Sequence, residues 1–256
     1  MRHAMGVFNV CRSRIGQSFL SPLASRTAMI TTSELLWTAA LFAWVIIVVM
    51  VIAKAFYDFF NKRYGHRVAI YYARKVIHIL AGGLVALVVA LYPIFSTPIL
   101  PFAMALVLAL FTYIPHRTGK LMYWFQDPEN IYEVDFCIMW AIFITLGWFA
   151  GRQFGHNSPF LFGALPLLFM AVGDGVTGIV RNALFRRRVK HWSGNVAMFV
   201  VSAAIALALG FGIPGVLSAL AASIVERFEY LGSIRLDDNV TVPTTSFAVL
   251  YLLHLV

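Results

Sequence analysis

Long apolar runs separated by short polar segments cover most of this chain from residue 31 onward. A helical bilayer crossing takes about 20 mostly apolar residues, whereas the strands of a transmembrane β-barrel would alternate apolar and polar positions. The unbroken runs therefore predict an all-α, polytopic membrane helix bundle with about seven or eight transmembrane helices. The predicted helices lie near residues 35–59, 76–91, 99–114, 136–149, 160–172, 196–211, 216–225 and 242–256.

The composition agrees with a membrane protein. Hydrophobic residues make up 61% of the chain and charged residues 12%, against roughly 45–50% and about 25% in soluble domains. We therefore predict one integral membrane catalytic domain over 31–256. Residues 1–30 hold four arginines and no acid, which is typical of a processed targeting segment or of sequence upstream of a later start at Met29. We treat them as a separate N-terminal extension.

The formal net charge of +9 is unevenly distributed along the chain. Basic residues between the predicted helices concentrate in the first, third, fifth and seventh connections, and the other connections hold only Arg152. The positive-inside rule then makes the odd-numbered connections cytoplasmic. Every acidic residue except Glu34 falls on that same side, which indicates a metal or polyphosphate site at the cytoplasmic face.

Three polar clusters go beyond what a membrane anchor needs. The first is Arg74, Lys75 and His78, which share one helix face at spacings of three and four residues and could meet an anion together. The alternative is a basic anchor with a packed histidine.

The second cluster surrounds Asp174 at the end of a predicted apolar helix. A carboxylate in that position usually faces a cavity or a partner, and the flanking Gly173 and Gly175 would allow a phosphate or metal to approach the backbone. Farther on come Lys190, Ser193, Gly194 and Asn195, whose backbone amides could bind phosphate at a helix start. Ordinary helix capping explains Ser193 and Asn195 equally well.

The third cluster contains Glu226, Glu229, Asp237, Asp238 and Asn239 between two apolar helices. Hard oxygen ligands of this kind suit Mg²⁺ that bridges the phosphates of a nucleotide. A polar loop with an Asx turn is the alternative.

These motifs, in this order, resemble the dolichol kinase and phytol kinase family, which is related to CTP-dependent diacylglycerol kinases and, remotely, to CTP:phosphatidate cytidylyltransferases. The resemblance rests on RKVIH at 74–78, GDG at 173–175, KHWSGN at 190–195 and DDNVTVP at 237–243, and covers about residues 70–245. It implies phosphoryl transfer from CTP, with Mg²⁺, to the hydroxyl of a membrane lipid alcohol. The short chain looks closer to prokaryotic or phytol-kinase-like members than to the much longer eukaryotic dolichol kinases, which implies a prokaryotic cell membrane.

With the clusters above, the resemblance gives each residue an expected role. The catalytic candidates are Asp174, Asp238 and His78; the metal candidates are Asp174, Asp237 and Asp238; the nucleotide-binding candidates are Arg74, Lys75, Gly173, Gly175, Lys190, Ser193, Gly194 and Asn239. The general base is open among Asp174, Asp237, Asp238 and His78. Family members often carry an acidic residue directly before the glycine that corresponds to Gly194. This chain has Ser193 at that position, so the resemblance implies no acidic role there.

Two other functions remain as alternatives. A cytidylyltransferase would join a lipid phosphate to CMP, but its usual signature has a second lysine and a threonine before a Glu-Gly pair, and KHWSGN lacks both. A transporter should carry its acids at mid-membrane on discontinuous helices, whereas here most acids fall in predicted connections. The expected partners are the lipid alcohol and CTP, with no nucleic acid polymer; a homodimer is left open, and so is the lipid, among polyprenols, phytol, geranylgeraniol and diacylglycerol.

Overall fold

The computed structural model describes residues 30–185, 191–228, 230–231, 234–235 and 237–256. Within these ranges the chain forms eight continuous helices and one pair of two-residue antiparallel strands, β1 (Tyr230–Leu231) and β2 (Ile234–Arg235). The helices are α1 (Thr32–Tyr64), α2 (His66–Leu91), α3 (Ile99–Thr118), α4 (Tyr132–Gln153), α5 (Leu161–Phe185), α6 (Trp192–Ala208), α7 (Gly212–Val225) and α8 (Asp238–Leu255).

The helical fold agrees with the predicted fold class, and each of the eight apolar runs lies on a helix. Five helices, α1 to α5, are long and apolar enough to cross a membrane, while α6 and α7 are shorter apolar helices. Residues 33–256 form one compact unit. The predicted extension at 1–30 lies almost wholly outside the described residues.

Two predicted helix boundaries are wrong in a way that matters for function. Helix α2 begins at His66 rather than near residue 76, and α5 continues to Phe185 rather than ending near residue 172. The polar residues in these stretches lie on amphipathic helix faces, so hydrophobicity falls although the helix continues. Lys75 and Asp174, predicted at a connection and at a helix end, therefore lie inside helices.

Glycine marks the turns that do separate helices. Gly65, between α1 and α2, has φ of 82°, and the predicted tight turn after α6 contains Gly210 with φ of 81°. These values favour glycine because other residues pay a steric cost there. The sequence GFGIPG at 210–215 predicts a tight turn between two helices; this is confirmed for 210–211 and wrong for 212–215, since α6 ends at Ala208 and α7 already begins at Gly212.

Helix α5 lies at the centre of the bundle, with 78% of its most apolar window buried. It approaches α4 closely because both carry glycine where they cross: a Cβ on Gly147 would lie 2.0 Å from the Cα of Gly163. Contacts of this kind let two helix backbones meet without intervening side chains.

Helices α1, α2 and α5 each contain a π-helical turn, and those of α2 (His78–Gly83) and α5 (Phe169–Gly173) pack against each other. Such turns are frequent at functional sites because they displace side chains from regular helical spacing. The first begins at His78 and the second ends directly before Asp174, so both re-aim polar residues toward the same region.

Candidate active site

An ion pair between α2 and α5 forms the centre of the site. Lys75 Nζ donates to Asp174 Oδ2 over 2.5 Å, and the two side chains are only 10% and 12% exposed. Lys75 also lies over the ring of Tyr71, with Nζ 5.2 Å from its centroid. An unpaired charge is costly in the low-dielectric interior, so each of the two charges is stable there only beside the other.

His78 lies one turn beyond Lys75 and faces the same carboxylate. Its Nδ1 is 3.9 Å from Asp174 Oδ2, too far for a hydrogen bond. This buried nitrogen has no hydrogen-bond partner within the described part of the chain. The ring stacks on Phe136 of α4, with centroids 4.3 Å apart and planes inclined by 26°.

Three carboxylates from three parts of the bundle meet beside this pair. One side-chain oxygen each from Asp174, Glu226 and Asp238 lies within 4.8 Å of the other two. Asp174 is on α5, Glu226 directly follows α7 and Asp238 is the first residue of α8. This donor set fits Mg²⁺, which prefers carboxylate oxygens completed by water and phosphate, and Lys75 offsets part of the negative charge.

Glu226 is held in place by Arg181 of α5. The guanidinium donates from Nη1 to Oε1 over 2.8 Å and from Nη2 to Oε2 over 2.9 Å, the forked geometry that carboxylates and arginine favour. Asn195 of α6 accepts from Arg181 Nη2 and donates to Glu226 Oε2, at 2.9 Å each. Glu226 is 1% exposed, so this network fixes the carboxylate without access to bulk water.

Two neighbouring residues of the third cluster, Asp237 and Asp238, have different roles in the structure. Asp238 joins the carboxylate group, whereas Asp237 caps α8, with Oδ1 accepting from the backbone N–H of Asn239 over 2.8 Å. Burial and the neighbouring Asp135 carboxyl raise the pKa of Asp237 to about 7. Asn239 is buried and donates from Nδ2 to the Tyr132 carbonyl over 3.1 Å.

Arg74 is directed toward the connection between α3 and α4. Its Nε donates to the Phe125 carbonyl over 2.6 Å, and its guanidinium lies 5.8 Å from the centroid of the Tyr132 ring. Arg74 and Lys75, predicted to share a helix face, thus both reach the site, Lys75 at its centre and Arg74 at its edge.

The predicted glycines serve helix packing in this structure. A Cβ on Gly173 would lie 2.6 Å from Ser202 Oγ, and one on Gly194 would lie 2.4 Å from Arg181 Nε. Gly175 faces Ile79 at 3.1 Å. Their proposed contact with nucleotide stays a prediction.

Ser193 takes part in the cap of α6. Its backbone N–H donates to the ring Nδ1 of His191 over 3.2 Å, and its hydroxyl lies 2.9 Å from the same nitrogen. The capping side chain is therefore that of His191, and Ser193, inside the helix, supplies the backbone N–H that it accepts from. Lys190 lies outside the described residues.

A cavity of about 190 Å³ joins these groups to the interior of the bundle. At one end it is lined by Lys75, Asp174, Glu226 and Asp238 with Arg74 and His78, and at the other by apolar side chains from α1, α3 and α4. Asp237 and Asn239 also line it. The predicted candidates of the first and third clusters thus share one cavity.

Two further residues have a functional position in the structure: Arg181, which belongs to none of the sequence candidates, and Glu226, a member of the third cluster that has no individual role among them. Asp174, Gly178 and Arg181 follow one another at spacings of four and three residues, so they share a helix face once α5 is continued. This spacing is the sequence feature that places Arg181 on the same helix face as Asp174. Comparison with protein-family models, with curated proteins and with solved structures found no match to this chain.

Proposed function

We propose that this protein is a CTP-dependent kinase that phosphorylates the hydroxyl of a membrane isoprenoid alcohol with Mg²⁺. The observation that carries the proposal is the single cavity with a charged end and an apolar end. The chain of a lipid alcohol requires apolar surroundings, whereas a nucleoside triphosphate requires charged and polar ones. An enzyme that transfers a phosphoryl group between them needs the two environments side by side. The resemblance of the motifs to lipid alcohol kinases supports the same activity.

The charged end has the properties that phosphoryl transfer requires. The transition state is loose, so positioning and neutralisation of charge contribute more than covalent chemistry. Asp174, Glu226 and Asp238 would hold Mg²⁺, which supplies neutralisation of the triphosphate. Lys75 and Arg74 provide cationic groups at the same end of the cavity.

His78 is the proposed proton acceptor. Asp174 Oδ2 already accepts from Lys75, whereas His78 Nδ1 has no hydrogen-bond partner in the described residues. As the lipid oxygen bonds to the γ-phosphorus and the bond to the β-phosphate oxygen breaks, the hydroxyl proton passes to Nδ1 and CDP leaves. General bases of this kind must lie within hydrogen-bond reach of the proton they accept.

We further propose that the charged end faces the cytoplasm of a prokaryotic cell. The helix ends and connections around this end, at residues 62–75, 117–120 and 227–235, hold nine of the 20 basic residues, and such residues remain inside during insertion. CTP is available on that side.

Product analysis tests the activity. Purified protein with CTP, Mg²⁺ and geranylgeraniol should form CDP and lipid monophosphate in equal amounts, with no diphosphate. Formation of diphosphate with a lipid phosphate as acceptor would instead identify a cytidylyltransferase. A matched reaction with Asp174→Asn controls for contaminating phosphatases and kinases.

A transporter is the second candidate because Lys75 and Asp174 lie within helices long enough to cross a membrane, beside two π-helical turns. The expectation that the acids lie in connections is wrong for Asp174, and buried ionisable residues on interrupted helices also mark ion pathways. Cation flux into proteoliposomes that Asp174→Asn abolishes, without any CTP turnover, would favour this function over the kinase.

A further inference from the structure

The apolar end of the cavity is lined by side chains of α1, α3 and α4, together with Ala81 and Val85 of α2. Val45 and Val49 of α1, Met104 and Leu108 of α3 and Trp140 of α4 line this part. Apart from half-buried Leu108, these side chains are at most 5% exposed. The surface offered to a ligand here is hydrocarbon, which attracts an apolar chain and excludes a nucleotide.

His78 stands at the boundary between the two ends. One side of its ring stacks on Phe136, and its Nδ1 faces toward Asp174 at 3.9 Å. A buried polar nitrogen without a partner is costly, and a ligand hydroxyl would remove that cost. The boundary therefore matches a molecule with a hydroxyl at the end of a hydrocarbon chain.

The volume restricts how much of such a molecule the cavity can take. An apolar protein cavity of about 150 Å³ holds one benzene molecule. The roughly 190 Å³ here includes the charged end, so the apolar end accommodates one chain end and not a glycerol carrying two acyl chains. The remainder of a long chain must leave the bundle sideways. Helix α1 packs against α2, and α3 against α4, whereas α1 and α3 do not pack closely against each other although both line the cavity.

We propose that the space between α1, α3 and α4 binds one hydrocarbon chain of a single-chain alcohol, with its hydroxyl at His78 and its tail leaving between α1 and α3. This inference rests on the proposed function for the identity of the reacting hydroxyl. It favours single-chain alcohols, of which geranylgeraniol and phytol are examples, over diacylglycerol.

Cys137 provides a reporter that is independent of catalysis. It is half-buried on α4, lines the same cavity and is the one free cysteine in the described residues. The full chain with Cys11→Ser, reconstituted in lipid nanodiscs without nucleotide, is treated with N-ethylmaleimide, and alkylation is followed by mass spectrometry. Cys137→Ser gives the background.

Geranylgeraniol at about ten times its Kd should slow alkylation of Cys137 about 10-fold, and diacylglycerol should slow it less than about twofold. Ala105→Phe, at a buried cavity-lining position of α3, should abolish the protection, and Leu108→Phe is a second filling variant. The matched control is Val107→Phe on the same helix, where the side chain is 52% exposed.

Equal protection by diacylglycerol, or protection that survives in a folded filling variant, would overturn the inference. Protection without phosphoryl transfer from CTP would reject the proposed function and leave this binding site standing. Phosphoryl transfer to geranylgeraniol without protection would reject the binding site and leave the kinase standing.

Discussion

Lys75 and Asp174 are separated by 99 positions in the chain, yet their side chains form a buried hydrogen-bonded ion pair with Nζ 2.5 Å from Oδ2. The pair joins α2 to α5 beside their two π-helical turns. It also lines the cavity, so the same contact contributes to the fold and to the proposed chemistry.

The first prediction separates these two contributions. Lys75→Met leaves a buried carboxylate without its cationic partner, so it should lower the free energy of unfolding by about 3–5 kcal/mol. The double variant Lys75→Met, Asp174→Asn should recover much of that loss but no activity. Denaturant unfolding in mixed micelles, with turnover measured on the same samples, checks both. Recovery of turnover together with stability would show that the pair is only structural.

The second prediction concerns Glu226. Glu226→Gln should lower kcat about 100-fold, the order of effect expected for one electrostatic group of an active site, and should raise the Mg²⁺ concentration needed for half-maximal activity. The matched control is Glu129→Gln, at an exposed acid, which should behave as the wild type. A Mg²⁺ dependence unchanged by Glu226→Gln would exclude Glu226 from the metal-binding group.

The third prediction is a pH dependence of stability from Asp237. Its pKa is raised in the folded protein to about 7, first by burial and then by Asp135, so the folded state holds a proton that the unfolded chain releases at lower pH. The stabilisation that protonated Asp237 gives the folded protein is complete below the ordinary carboxyl pKa and is lost as the pH rises toward 7. Asp237→Asn keeps a good helix cap and should flatten the decline in thermal stability between pH 5 and 7. An unchanged decline in the variant would assign it to another group.

The helices could be predicted from sequence, whereas the site could be predicted only in part. Apolar runs of this length have few alternatives to helix in a membrane, so the apolar pattern alone predicts all eight helices. Helix ends were missed where polar residues continue a helix, which put Asp174 at an end of α5 rather than within it.

Glu226 shows why the rest of the site depends on the three-dimensional fold. In the sequence it is one acid among several after an apolar run, and Asp237 beside Asp238 looked the better ligand pair. Backbone direction decides between them: Asp237 turns back to cap α8, while Asp238 points to the group that contains Glu226. The glycines around Asp174 were equally ambiguous, because close approach of a helix and close approach of a phosphate need the same missing Cβ.

The fourth prediction concerns orientation. In a cysteine-free background, Lys120→Cys and Gln153→Cys place exposed thiols near the ends of α3 and α4, at opposite ends of the bundle. The charge distribution predicts that an impermeant maleimide labels Gln153→Cys in intact cells and Lys120→Cys only after permeabilisation. The reverse pattern would place the charged end outside and contradict the cytoplasmic assignment.

The most direct test of the central claim follows the two ends of the triphosphate in parallel. Purified protein receives Mg²⁺, geranylgeraniol and CTP labelled at either the γ- or the α-phosphorus, with Asp174→Asn as the inactive control. The kinase account predicts label in the extracted lipid from γ-labelled CTP only, and none with Asp174→Asn. Lipid label from α-labelled CTP, or no lipid label from either nucleotide in a folded wild-type protein, would contradict it.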